Sequence, residues 1–147
     1  MVGRLWITAA LGLAASLAQA NDGCSAGSEF EPRLCPSGLP AIKQVVIQQN
    51  GMKSAQETNP AIRCDGFKLS VRQVRQFLAR AGEVDKQDAL HQLDWSPCYA
   101  SGEVRFKDGR VGLWQISQFR QGSVRLGEGE PVYLYCPACR ARPFKQP

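Results

Sequence analysis

The sequence predicts an α+β fold: one main amphipathic helix and a short second helix packed on a mostly antiparallel sheet of four to five strands, stapled by disulfides. Three observations lead there. A helix-period apolar stripe runs from Val71 to Ala81. After Trp95 the apolar residues alternate with period two. All six cysteines follow an N-terminal stretch with the features of a secretory signal.

That leader occupies residues 1–20. Arg4 supplies a positive start, Leu5 to Leu17 carries no charge, and Ala18-Gln19-Ala20 is a small-x-small cleavage site. The apolar run is too short to span a bilayer. Export places the mature chain, from about Asn21, in a periplasmic or secreted setting where thiols oxidise. Residues 21–40 are rich in Gly, Ser, Pro and Glu and read as an irregular arm tied down by Cys24 and Cys35. Residues 41–147 are long enough for a single α+β domain with its own core.

Within that domain Ile42 to Gln49 holds Val45, Val46 and Ile47, a β-branched run that suits a strand. Asn50-Gly51 reads as a turn and Lys53 to Pro60 as a polar loop. In the main helix Val71, Val74, Phe77, Leu78 and Ala81 share one face. Ser70 and Gln73 have capping-box spacing, and Gly82 suits the stop. A second, short helix fits Lys86 to Gln92 with Asp85 as its cap.

Val104-Arg105-Phe106, then Asp108-Gly109, then Val111 to Trp114 reads as a hairpin closed by a two-residue turn. That loop length pairs Phe106 with Val111 and Val104 with Leu113, and gives these four side chains one face. Trp114 and Ile116 then fall on the other, which fits a second strand buried on both sides. Ser123 to Leu126 and Val132 to Cys136 complete a four-stranded meander.

Cys24, Cys35, Cys64, Cys98, Cys136 and Cys139 form an even set, and spacing alone does not choose their pairing. Cys24 with Cys35 closes a local loop. In a meander, Cys98 before the first strand and Cys136 and Cys139 after the fourth lie at one end of the sheet. They are three strand spacings apart, roughly 14 Å. A bridge between them therefore requires a curled sheet or reaching loops, after which Cys64 takes the remaining C-terminal cysteine. Cys136 with Cys139 stays open as an alternative.

The chain carries 18 Lys and Arg against 13 Asp and Glu, and arginine outnumbers lysine. Arginine suits planar carboxylates and phosphates, so an acidic ligand is a candidate partner. The cations do not cluster as a nucleic-acid-binding chain requires. Arg72, Arg75, Arg105 and Arg110, with Trp114, make a candidate binding surface of arginine and aromatic groups. The plainer reading keeps the arginines for solubility and the tryptophan for the core.

Cys136-Pro137-Ala138-Cys139 has the spacing of a redox pair. A thioredoxin-like site needs that motif early, opening a helix, and little chain follows it here. Zinc held by this pair with Cys64 and Cys98 is a further option, disfavoured by an oxidising compartment. His91, the single histidine, lies in the weak second helix. Asp85 with Asp88, and Glu128 with Glu130, are the paired carboxylates that a glycoside hydrolase would need, but capping and a Gly-rich turn account for them. No motif calls for a metal or another cofactor, and no catalytic residue is assigned.

The sequence therefore points to an exported, disulfide-bonded, non-catalytic binding protein of the cell envelope, of inhibitor, immunity or accessory type. Its partner would be an envelope or extracellular protein or an acidic ligand, with no nucleic acid and no membrane span. The alternative is an enzyme: a thiol-disulfide oxidoreductase using the Cys136–Cys139 motif, or a small carboxylate-dependent hydrolase.

Overall fold

A computed structural model describes residues 22–147. The secretory signal read over residues 1–20 lies outside the described residues, as does Asn21. The architecture is α+β but richer in sheet than the sequence reading: seven strands, not four or five, form one antiparallel sheet with two helices.

The strands are β1 (Cys35–Pro36), β2 (Ile42–Lys53), β3 (Gly82–Val84), β4 (Cys98–Phe106), β5 (Val111–Ser117), β6 (Gln121–Leu126) and β7 (Val132–Tyr135). The helices are α1 (Val71–Arg80) and α2 (Lys86–His91). Across the sheet the order is β1-β3-β7-β6-β5-β4-β2. The β4-to-β7 meander is the expected centre. Sequence patterning missed β1 and β3, which are too short for alternation to register. β1 belongs to the arm read as irregular, and it pairs with β3.

β2 is longer than expected. Asn50-Gly51 is not a turn but a place where the strand bulges, with register shifts at Ile47/Gln49 and Gln49/Met52. Gly51 takes φ +68°, which a side chain resists. The Asn50 side-chain amide donates to Leu69 O at 2.8 Å and its Oδ1 accepts from Leu69 N at 2.9 Å. This anchors the strand to the segment that leads into α1. Bulges along a long edge strand also discourage edge-to-edge association.

α1 starts where the capping box places it: Ser70 Oγ accepts from Gln73 N, and Gln73 Oε1 accepts from Ser70 N. Val74, Phe77 and Leu78 are buried against the sheet, whereas Val71 is 46% exposed. α2 begins at Asp85, whose side chain accepts from Gln87 N at 2.8 Å.

The hairpin between β4 and β5 corrects the sequence reading most sharply. Its register pairs Arg105 with Val111, Val104 with Gly112 and Glu103 with Leu113, one residue away from the expected pairing. Phe106 N donates to Arg110 O and Gly109 N donates to Phe106 O, so Lys107, Asp108 and Gly109 form a three-residue loop. Gly109 sits at φ +92°, the left-handed position of such loops. A one-residue shift moves every side chain of β5 to the other face. Gly112, Trp114 and Ile116 thus join Val104 and Phe106 in the core, and Val111 and Leu113 point out, 43% and 48% exposed.

The core lies between α1 and this inner face. Phe67, Leu69, Val74, Phe77, Ala100, Val104, Phe106, Trp114, Ile116, Val124 and Leu134 fill it. Phe144 from the C-terminal segment closes it, with its ring centroid 5.9 Å from both Phe67 and Phe77. Gly122 sits under Phe77, where a Cβ would come within 2.8 Å of the ring and of Gln115 O.

All six cysteines are bridged: Cys24–Cys35, Cys64–Cys98 and Cys136–Cys139. The long bridge expected from the C-terminal cysteines to Cys98 or Cys64 does not form. The three-strand gap keeps β4 and β7 apart, and Cys98 instead meets Cys64, in the connection that follows its neighbouring strand β2.

Candidate functional site

Among the described residues the outer face of the sheet is covered at one end. There α2 packs on β7 above Val84, which is 3% exposed. No other described segment covers the rest of the face.

Cross-strand rows describe it. One runs Val46, Glu103, Leu113, Arg125 through β2, β4, β5 and β6. The next runs Gln49, Ser101, Gln115, Ser123, Tyr133 and ends at Val84. Within the second row Ser101 Oγ and Gln49 Oε1 lie 3.0 Å apart in a hydrogen bond. Two shallow depressions occupy the face. The first, about 190 Å³, lies between Leu90, Leu93 and Trp95 on one side and Gln115, Ser123 and Tyr133 on the other. The second, about 370 Å³, is bordered by Gln48, Ser101, Leu113 and Arg125. They adjoin, because Gln115 and Ser123 line both. Trp95 at 55% and Leu90 at 56% exposure form one rim, and Val46, Met52, Val111 and Leu113 are the exposed large apolar groups of the sheet itself among the described residues.

The charges on this face are mostly matched. Arg105 Nε pairs with Glu103 at 3.2 Å, and Arg110 Nε pairs with Asp108 at 2.8 Å. Arg125 has no ion-pair partner among the described residues. Asp108, in the loop at the edge of the face, has its carboxyl held below the ordinary carboxylate range. The cause is first the Arg110 backbone N–H and then the Arg110 guanidinium.

The five residues proposed from sequence as one surface are not gathered. Arg72 is exposed on α1, on the opposite side of the sheet from Arg105. Arg75 is engaged in structure, donating to the carbonyls of Ile42 and Lys43 at 3.2 Å each, which ties α1 to β2. Arg105 belongs to the open face, and Arg110 directly follows the adjoining loop. Trp114 is not on a surface at all. It is 1% exposed in the core, and its indole N–H donates to Glu103 O at 3.1 Å. The hairpin's extra loop residue turned it inward.

Cys136 and Cys139 are both buried, and no helix follows them among the described residues. Zinc ligation would need Cys64, Cys98, Cys136 and Cys139 as free thiolates, and they are bridged in two separate pairs. Asp85 is occupied as the α2 cap and Glu130 pairs with Lys86 at 3.5 Å. His91 is exposed at the end of α2.

Sequence reasoning passed over Gln49, Ser101, Gln115 and Ser123. The signal was present in Ser101, Glu103 and Arg105, which alternate with Gly102, Val104 and Phe106. It becomes visible once β4 is allowed to begin at Cys98. Comparison of the chain with family models, with curated proteins and with solved structures finds no match. The functional reading therefore rests on the geometry.

Proposed function

We propose that this chain is an exported, non-catalytic binding protein of the cell envelope that engages another envelope or extracellular protein through the open face of its sheet. One observation carries the reading: Leu90, Trp95 and Leu113 are exposed along two adjoining depressions that share Gln115 and Ser123, and Val46 and Val111 are exposed on the same face of the sheet. A monomer gains nothing by leaving such side chains in water, and apolar groups ringed by polar ones mark protein-binding surfaces. Trp95 is the natural anchor, since tryptophan dominates interface energetics. The free Arg125 beside Leu113 favours a partner with an acidic group at that position. The three disulfides support an oxidising, exported setting. Among the described residues no helix is long and apolar enough to cross a membrane.

The test is capture from an envelope extract by immobilised mature protein, run beside Leu113→Asp and Trp95→Ala. Both side chains are about half exposed, so the variants should fold. The expected result is a protein retained by the wild type, more weakly at high salt to the extent that Arg125 contributes, and lost with either variant. Equal capture by all three refutes the assignment of the face. Disulfide turnover that depends on Cys136, with nothing captured, refutes the binding reading altogether.

A further inference from the structure

Arg120 occupies a position that ordinary physical chemistry assigns to glycine. The β5–β6 loop, Gln118-Phe119-Arg120, repeats the form of the β4–β5 loop, with Arg120 N donating to Ser117 O as Gly109 N donates to Phe106 O. In the first loop the left-handed residue is Gly109. In the second it is Arg120, at φ +65°, the one non-glycine residue with positive φ among those described. A residue with a Cβ is strained there, and strain of this kind persists where the side chain has work to do.

The side chain is also left unsatisfied. Arg120 is 6% exposed. Its Nη1 donates to Pro137 O at 2.8 Å, and its guanidinium lies 5.9 Å from the centre of the Tyr135 ring. Its Nε is buried without an acceptor. No carboxylate lies within ion-pair distance of it among the described residues. A buried charge with neither a counter-ion nor a full set of hydrogen bonds is strongly unfavourable. A second cation makes matters worse: Arg140 Nε donates to the same Pro137 carbonyl at 3.3 Å, so two guanidinium groups converge on one oxygen. Lys145 adds a third positive charge. Arg120, Arg140 and Lys145, with Phe144 and Gln146, line a cavity of about 130 Å³. That leaves room for one small oxyanion.

We propose that this cavity is an anion site that takes a single phosphate or sulfate group. Three cations with no acid among the lining residues suit a doubly charged tetrahedral oxyanion better than a single carboxylate. Arginine is the side chain best matched to such oxygens. The Cys136–Cys139 bridge then has a role without redox chemistry. It closes the short loop that presents Pro137 O, the carbonyl on which both guanidinium groups are aligned. The site uses none of the open-face residues and does not depend on the reading of that face.

The oxidised mature protein is titrated calorimetrically with inorganic phosphate, sulfate and acetate at matched ionic strength, and its thermal midpoint is followed in each. The comparison proteins are Arg140→Gln/Lys145→Gln, whose side chains are exposed, and Arg120→Gly, which relieves the backbone strain while removing the guanidinium. Phosphate or sulfate should bind the wild type and raise its midpoint, acetate should do so less, and the affinity should fall at least about tenfold in both variants. Both anions also stabilise proteins generally by exclusion from the surface. An equal rise in wild type and variants therefore means exclusion alone and overturns the site. So does the absence of binding heat, and acetate binding as tightly as phosphate overturns the choice of anion. Sedimentation with phosphatidic-acid vesicles separates the sources. Retention competed by inorganic phosphate and lost in Arg140→Gln/Lys145→Gln assigns the group to a headgroup. Phosphate binding without retention assigns it to a free anion.

Discussion

Truncating two neighbouring residues of β5, Leu113 and Trp114, tests the one-residue frame on which the core and the open face both depend. Trp114 is 1% exposed in the core, paired across the sheet with Gly102 and Val124. Tryptophan buries about 150–250 Å² of surface, worth roughly 4–6 kcal/mol at about 25 cal/mol per Å². Trp114→Ala also strips Glu103 O of its 3.1 Å indole donor. Partial collapse of the cavity recovers some of this, so the expected loss is about 3–5 kcal/mol. Leu113 is 48% exposed. Full burial of a leucine is worth about 1.5–3 kcal/mol, so Leu113→Ala should cost about 1 kcal/mol. Urea unfolding of the oxidised proteins, followed by far-ultraviolet circular dichroism to avoid dependence on tryptophan emission, measures both. If Trp114→Ala proves too unstable to study, Trp114→Phe keeps a ring in place and should still lose more than Leu113→Ala. A Leu113→Ala loss equal to or larger than the Trp114 loss would refute the three-residue loop and restore the opposite face assignment.

Phe77→Ala should cost about 3–5 kcal/mol, because the ring is fully buried and stacked on Phe144; a loss below about 1 kcal/mol in the same urea assay would mean that α1 does not cover the sheet. Replacing Cys64 and Cys98 together by serine should remove about 2–5 kcal/mol, and non-reducing peptide mapping should join Cys64 to Cys98 in the wild type and not to Cys136 or Cys139. Because the Asp108 carboxyl titrates below its ordinary range in the folded chain, its stabilising contribution is complete above the unfolded value and is lost as pH falls through the depressed one. A carboxyl-detected NMR titration should place its midpoint below that of an unstructured aspartate, and Arg110→Ala should return it part of the way while the backbone N–H of residue 110 remains.

Much of the helical layer was legible from local chemistry. Ser70 and Gln73 announced the start of α1, and the spacing of Val74, Phe77 and Leu78 announced its buried side. Asp85 likewise marked α2. The meander was legible from alternation and turn residues. The candidate site was less so. Arg75 and Trp114 were candidate surface groups beside the plainer reading that the aromatics fill the core; Arg75 is consumed by the carbonyls of β2, and Trp114 follows the plainer reading. Arg120, the residue on which the anion site depends, looked in sequence like any other arginine beside a strand.

By itself the sequence determined that the chain has a helix with a defined start, a run of antiparallel strands and an even set of cysteines. These are features of neighbouring residues: caps, periods of 3.6 and 2, and short apolar runs. Only the tertiary structure decided which face of β5 is buried, that Cys64 rather than a C-terminal cysteine bridges Cys98, that β1 and β3 extend the sheet, and that Arg120 is interred without a counter-charge among the described residues. The reason is that strand faces alternate residue by residue, so one extra loop residue exchanges inside for outside without altering the composition of any strand. Bridges and buried charges, in turn, depend on which distant segments the sheet order brings together, and no local pattern encodes that order.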